Sequence, residues 1–154
     1  MRHEMRRRER QLDEARAYAL LEKGDVCHLA MVDRGEPYLV TLNYGYRDSI
    51  MYFHCAMKGR KKDLLERGSR VCFTVVPRHE LLPAEKGCDF SMKYESAVGY
   101  GAVRLLQEPE EKRLGLSIIM AQCAPGDFVF PDASLARTLV FAVDIEELSG
   151  KSTY

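Results

Sequence analysis

The chain has 154 residues, of which 46% are hydrophobic and 30% charged, a composition typical of a single globular domain. Its 23 basic side chains balance 23 acidic ones, which argues against a general nucleic-acid binder. No apolar run is long enough to span a membrane, and the opening segment MRHEMRRRERQ lacks the apolar stretch of a signal peptide. The five cysteines are widely spaced and form no CxxC motif, so we expect reduced thiols in a cytoplasmic protein.

The first half of the chain predicts one helix followed by short strands. A charged arm at 1–10 leads into a helical hydrophobic period over 11–23 that ends at Gly24. The period then changes to two. Strands are predicted at 26–32, 38–46 and 50–55, with turns at 33–36 and 47–49. Because these turns are tight, we expect the three strands to form an antiparallel meander.

The second half predicts three more strands and two helices. The helices are predicted at 58–67 and from Pro109 to the Pro125–Gly126 pair, and the strands at 71–76, 93–107 and 138–145. We expect Pro77 to end the fourth strand and 77–92 to form a loop. The glycines at 99 and 101 predict a bulge or bend in the fifth strand. Six strands with peripheral helices predict a mainly β (α+β) antiparallel barrel in one domain spanning 1–154.

The segment HCAMKGRKKDLLER (54–67) carries the strongest functional signal. Three cations, Lys58, Arg60 and Lys61, crowd the start of the predicted helix, where the helix dipole is already positive. Lys62–Glu66 and Asp63–Arg67 have the spacing of local ion pairs, which those three cations lack. An anion such as phosphate would resolve the repulsion, and Gly59 would allow its close approach. A solvated basic turn is the alternative.

Other kinds of site find less support in the sequence. The nucleotide P-loop motif is absent, and the single GxG lies inside a predicted strand. His28, His54 and Cys55 have none of the spacings typical of metal ligands, so we expect no metal site. The cysteines are expected to be structural. His54 ends a strand beside the proposed anion site, where it either contacts phosphate or another ligand or is a histidine whose hydrogen bonds are satisfied by its neighbours.

Four segments, in this order, resemble the split-barrel flavoproteins related to pyridoxamine 5′-phosphate oxidase, and within them the nitroimidazole-resistance (Nim-like) branch. They are PYLVTLNYGY (37–46), YFHCAMKGRKKDLL (52–65), CDFSMKYESAVGYGAV (88–103) and EPEEKRLGLSIIM (108–120). The resemblance implies a six-stranded split β-barrel that forms a homodimer and binds FMN at the dimer interface.

The resemblance also implies positions for the cofactor contacts. The flavin edge would lie against the second strand, and the ribityl chain and phosphate would lie at the end of the third strand and the following turn. The implied contacts are Val40, Thr41, Leu42, Asn43, His54, Gly59, Arg60, Lys61 and Ser96.

The chain lacks the tryptophan- and arginine-rich C-terminal motif of true pyridoxamine-phosphate oxidases, since it has no tryptophan and ends DIEELSGKSTY. The resemblance therefore implies an FMN oxidoreductase that passes electrons to a nitroimidazole or another small electron acceptor, with His54 as the catalytic residue. A flavin- or heme-binding protein for storage or sensing, without turnover, is the alternative.

Overall fold

The computed structural model describes residues 4–68 and 70–154; residues 1–3 of the expected charged arm lie outside them. The described residues form the strands β1 (Val26–Asp33), β2 (Glu36–Asn43), β3 (Gly45–Arg47), β4 (Ile50–Ala56), β5 (Arg70–Leu82), β6 (Ser91–Leu106) and β7 (Thr138–Ser152). The α-helices are α1 (Glu14–Lys23), α2 (Arg60–Glu66), α3 (Pro109–Cys123) and α4 (Asp132–Leu135). The strands form one antiparallel sheet in the order β2-β1-β5-β6-β7-β4-β3. This confirms an antiparallel α+β fold of the split-barrel kind.

The strand predicted at 38–46 changes partner part-way along. Its inward-facing side chains continue in alternation through Tyr44, which is fully buried and donates a hydrogen bond to the Leu21 carbonyl at 2.7 Å. The backbone, however, pairs with β1 before Tyr44 and with β4 after it. Both antiparallel hairpins of the expected meander are confirmed, but the three strands do not lie side by side, and the predicted six strands become seven. Because β2 and β3 lie at the two edges of the sheet, the barrel is not closed.

The predicted loop at 77–92 is also partly wrong, because β5 continues to Leu82. The β5–β6 register shifts between Val75 and Arg78, which leaves Pro77 outside the regular ladder. Proline has no N–H to donate, and a bulge accommodates this. The bulge expected near Gly101 is confirmed by a register shift between Tyr100 and Gly101 on the β7 side.

Two apolar clusters hold the fold together. The larger lies inside the curved sheet, where the Phe53 and Phe141 rings stack 5.0 Å apart. The smaller lies on the outer face, where α3 covers β4 and β7. Helix α3 lies close to the backbone of β3, because a Cβ added at Gly45 would lie 2.5 Å from the Ile119 backbone nitrogen. Only glycine therefore fits where β3 meets α3.

Candidate functional site: a slot between two strands

The open seam of the barrel is a slot between two segments, 38–45 and 52–60. The β3–β4 ladder closes one end, and its last pair is Gly45 with Tyr52. Continued straight, that register would place Asn43 opposite His54. In the described structure, β2 instead pairs with β1 alone, and residues 54–56 pair with β7. The slot therefore begins where the chain switches partner at Tyr44.

Arg60 closes the other end of the slot through contacts with β1 and β2. Its guanidinium carbon lies 4.6 Å from the centre of the Tyr38 ring, and its Nε donates to Asp33 Oδ2 at 2.8 Å. Arg67 donates to the same carboxylate at 3.2 Å. These contacts, led by the Arg60 hydrogen bond, hold the pKa of Asp33 below its usual range. Arg60 thus has a partner on β1, which local sequence spacing did not reveal.

The remaining cations of the basic turn lie beside the slot. Lys62 forms the expected pair with Glu66 at 2.8 Å. Arg67 pairs with Asp33 rather than with the expected Asp63. Among residues 4–68 and 70–154, neither Lys58 nor Lys61 forms an ion pair. These two positive charges can attract an anion without first losing a partner.

Gly59 leads into this turn with a φ of +104°, and no atom lies within 4 Å of where its Cβ would stand. Glycine adopts this backbone region without strain. The open space leaves the backbone at the turn accessible to a ligand.

His54 lies on the outer face of β4, at the edge of the slot. Its side chain keeps contact with solvent. Partial desolvation, followed by the positive charge of Lys61, lowers the pKa of His54 below its usual range. Both effects favour the uncharged ring. At neutral pH His54 therefore presents a neutral imidazole that can donate and accept hydrogen bonds.

The opposite side of the slot is the edge strand β2. The side chains of Val40 and Leu42 face inward and pack against the core, so at these positions only the backbone can meet a ligand. Thr41 and Asn43 face outward and are exposed. Because an edge strand has backbone groups without a strand partner, β2 offers N–H and C=O groups along the slot.

Ser96 is not brought to the slot within one chain. It lies near the start of β6, paired with Lys151, and its side chain is half-buried. Strands β1 and β5 separate it from β2. Three strand spacings amount to roughly 14 Å. The structure therefore assembles the other predicted site residues around the slot and leaves Ser96 apart.

Part of the outer face carries exposed apolar side chains, which we call the bare patch. Its members are Val26, Val32, Leu39, Val76, Val98 and Tyr100, each at least 38% exposed. They project from β1, β2, β5 and β6, next to the β2 side of the slot. The polar side chains of His28, Thr41 and Thr74 lie between them on the same face. Large exposed apolar side chains grouped on one face among polar groups are a feature of interaction sites.

The sequence prediction missed the contacts that hold slot residues from β1. Asp33 binds Arg60, and His28 Nδ1 lies 3.0 Å from Thr41 Oγ1. The turn at 33–36 could have predicted the pairing of His28 with Thr41. Arg34 and Gly35 both have positive φ, as in a two-residue hairpin turn. Such a turn fixes the register, which pairs Asp33 with Glu36 and therefore His28 with Thr41.

A comparison with protein families matches residues 13–152 to the pyridoxamine 5′-phosphate oxidase model. The chain belongs to this family. A comparison with curated proteins finds no match.

Among solved structures, a candidate 5-nitroimidazole antibiotic resistance protein from Bacteroides thetaiotaomicron is similar, with 31% identity and a TM-score of 0.81 over 92% of this chain and 85% of that one. Two more distant structures share the fold. An FAD- and heme-binding protein from Mycobacterium smegmatis is 19% identical, with a TM-score of 0.82 over 93% of this chain and 73% of its own. A flavocytochrome from Azotobacter vinelandii is 21% identical, with a TM-score of 0.85 over 99% and 73%.

None of the helices in the described part of the chain is long and apolar enough to cross a membrane. No group of three or more His, Cys, Asp or Glu side chains in the described ranges could hold a metal ion.

Proposed function

We propose that this member of the pyridoxamine 5′-phosphate oxidase family is a cytoplasmic FMN-dependent oxidoreductase. One observation carries the proposal: Lys61, without an ion-pair partner among the described residues, lies close enough to His54 at the slot for its charge to help lower the pKa of that ring. The family match and the 31% identical candidate nitroimidazole-resistance protein support it. The five free cysteines suit a reducing compartment.

The donor set around the slot fits a flavin mononucleotide. Lys58 and Lys61 would hold the phosphate, with Arg60 at its end of the slot and the open backbone of Gly59 beside them. The free edge of β2 at Val40–Asn43 would meet the flavin ring through backbone groups. A bound flavin would supply the electron transfer, while the chain binds it, orients the acceptor and limits access of water. The proposed acceptor is a nitroimidazole or another small electron acceptor.

We assign the bare patch to a second copy of the chain, which gives a homodimer. The patch lies beside the slot, so a twofold partner that covers it would also cover the cofactor. Ser96 lies on the same outer face and outside its own chain's slot. In this arrangement it would contribute to the partner's cofactor site.

The decisive experiment compares FMN with riboflavin, which lacks the phosphate. We expect the unaltered protein to bind FMN much more tightly. Lys61→Met should weaken FMN binding by about 1.5–3 kcal/mol, the contribution of a charge-assisted hydrogen bond, and leave riboflavin binding nearly unchanged. Lys62→Met is the matched control, since Lys62 is paired with Glu66. Equal affinities for the two ligands would refute the phosphate assignment.

The alternative is a flavin- or heme-binding protein without turnover. A neutral imidazole is also the form that ligates iron, so the lowered pKa of His54 is compatible with heme. Denaturing the purified protein and measuring the mass of the released chromophore distinguishes FMN from FAD and heme. Turnover with a reduced nicotinamide donor and a nitroheterocycle separates an enzyme from a storage or sensor protein.

A further inference from the structure

A row of outward-facing residues crosses the sheet at Thr41. Reading from the edge strand inward, its members pair as Thr41, His28, Thr74, Val98 and Ser149. Three of them carry hydroxyl groups. The Thr74 hydroxyl donates to the Ala97 carbonyl at 3.0 Å, and the Ser149 hydroxyl donates to the Val98 carbonyl at 3.2 Å. Both hydroxyl hydrogens are thus committed to the backbone of β6.

The Thr41 hydroxyl has a different kind of partner. Its Oγ1 lies 3.0 Å from Nδ1 of His28, which is half-buried between the two threonine-bearing strands. Thr41 itself is exposed on the edge strand, beside the slot. His28, on the strand next to β2 and away from the slot, therefore sets the direction of the hydroxyl of an exposed residue on the edge strand.

This hydrogen bond decides what Thr41 offers to a ligand. A hydroxyl has one hydrogen and two lone pairs. If Nδ1 of His28 carries a hydrogen, it donates to Thr41 Oγ1, and the threonine hydrogen is free to point at an acceptor. If Nδ1 carries none, Thr41 donates to it and presents lone pairs to a donor. Both forms fix the Thr41 side chain in one orientation.

We propose that His28 is a positioning residue for flavin binding, which holds the Thr41 hydroxyl toward the edge of the flavin ring. The inference rests on the proposed function, because it requires a flavin in the slot. His28 does not touch the flavin; it acts through Thr41. The flavin ring edge carries both N–H donors and carbonyl or ring-nitrogen acceptors, so either form of the His28–Thr41 pair has a match.

The test is a double-mutant cycle on FMN affinity, with His28→Leu, Thr41→Val and the double variant. Each single change should weaken FMN binding about threefold to tenfold, the range of one net hydrogen bond. The double variant should be no weaker than Thr41→Val alone. The midpoint potential of the bound flavin should shift in the same direction in all three, which a purely structural role would not produce.

Two further variants control the experiment. Thr74→Val removes a hydroxyl in the same row that already binds the backbone, and it should change FMN affinity less than twofold. His28→Asn keeps a hydrogen-bonding atom near the position of Nδ1 and should recover most of the affinity lost in His28→Leu. Circular dichroism and light scattering on each variant establish that fold and assembly are unchanged.

The outcomes separate the two claims. If the unaltered protein binds no flavin, the proposed function fails, and the role of His28 fails with it. If flavin binds and His28→Leu leaves affinity and potential unchanged, the positioning role alone is refuted. Losses from His28→Leu and Thr41→Val that multiply in the double variant would also refute it, because they would show independent action.

Discussion

The outer face of the sheet has two halves that differ in what covers them. On β4 and β7, the apolar side chains of Tyr52, Val140 and Ala142 lie beneath α3 and are at most 7% exposed. On β1, β2, β5 and β6, the bare patch keeps equally apolar side chains in solvent, such as Leu39 at 63%. Both halves present apolar side chains on the outer face, but the second half also presents His28, Thr41 and Thr74 there, and its apolar side chains remain exposed.

The difference indicates which half is complete within one chain. The covered half buries its apolar surface against a helix of the same chain, so its stability does not depend on concentration. The bare patch can gain the same burial only from another molecule, at roughly 25 cal/mol per Å² of apolar surface removed from water. The proposed dimer interface and the proposed cofactor site both lie on the side of the bare patch. His54 stands at the boundary, two residues beyond the covered Tyr52.

The largest effect is expected from a charge in the bare patch. Val98→Asp would place one unpaired carboxylate per chain in the dimer interface, at a cost of several kcal/mol for each ion. We expect light scattering to change from about twice 17.6 kDa to 17.6 kDa, with the circular dichroism spectrum retained. Leu114→Asp, on the exposed side of α3, is the control and should remain dimeric. A Val98→Asp dimer would contradict the assignment of the patch.

In the covered half, a truncation should cost folding stability instead. Ile119 on α3 is 1% exposed, and Ile119→Ala should lower the free energy of unfolding by about 2–5 kcal/mol. Leu114→Ala, 49% exposed on the same helix, should change it by about 0.5 kcal/mol or less. Urea unfolding measures both. Similar losses in the two variants would show that α3 does not seal this half as the contacts imply.

At the boundary, His54→Gln tests a catalytic role. The lowered pKa of His54 keeps its ring neutral at pH 7, so protonation begins below the usual value near 6.5. In the unaltered protein, acceptor turnover should therefore change with pH on the acid side of 6.5. His54→Gln should lower turnover, flatten that region and leave most flavin bound. The same turnover and pH profile in both proteins would make His54 a structural residue.

The lowered pKa of His54 also makes the folding stability depend on pH. Because the pKa is lower in the folded chain than in the unfolded one, the unfolded state takes up the proton first as the pH falls. His54 thus reduces stability progressively below about pH 6.5. The Gln variant should lose less stability than the parent over that range.

The smallest effect concerns the charge next to His54. Lys61→Met removes the second cause of the lowered pKa and leaves desolvation, the first, in place. The His54 pKa should therefore rise part of the way toward its usual value, as measured by NMR titration of the ring. Lys62→Met should leave it where it is. A fall in the pKa after Lys61→Met would contradict the placement of Lys61.

Much of the fold was predictable because it depends on local periodicity. The helices at 11–23 and 58–67, the turn at 33–36 and the family resemblance all follow from residues close in sequence. Partner choice was not predictable in the same way. The residues around Tyr44 continue one alternating strand, and nothing in that alternation records that the backbone changes neighbour there.

The same limit applies to the site. The basic turn was recognisable as a cluster of cations because its members are adjacent in sequence. The partner of Arg60 is Asp33, 27 residues earlier, and that contact depends on how the β1–β2 hairpin meets α2. Local spacing shows which charges lack a neighbour along the helix. Only the tertiary fold shows that Arg60 pairs with Asp33, whereas Lys61 forms no ion pair within residues 4–68 and 70–154.

The slot is closed at both ends, and different kinds of contact close each end. The Gly45–Tyr52 end is backbone ladder packed against α3, whereas the Arg60 end is an ion pair and a ring contact in solvent. The two ends are seven residues apart along the strand, from Tyr38 to Gly45, or roughly 23 Å at 3.3 Å per residue. This distance limits the length of a ligand that can lie in the slot. Added salt screens exposed charges, so it should loosen only the Arg60 end. Higher ionic strength should therefore speed the release of a bound ligand at the Arg60 end and leave the β3–β4 ladder unchanged.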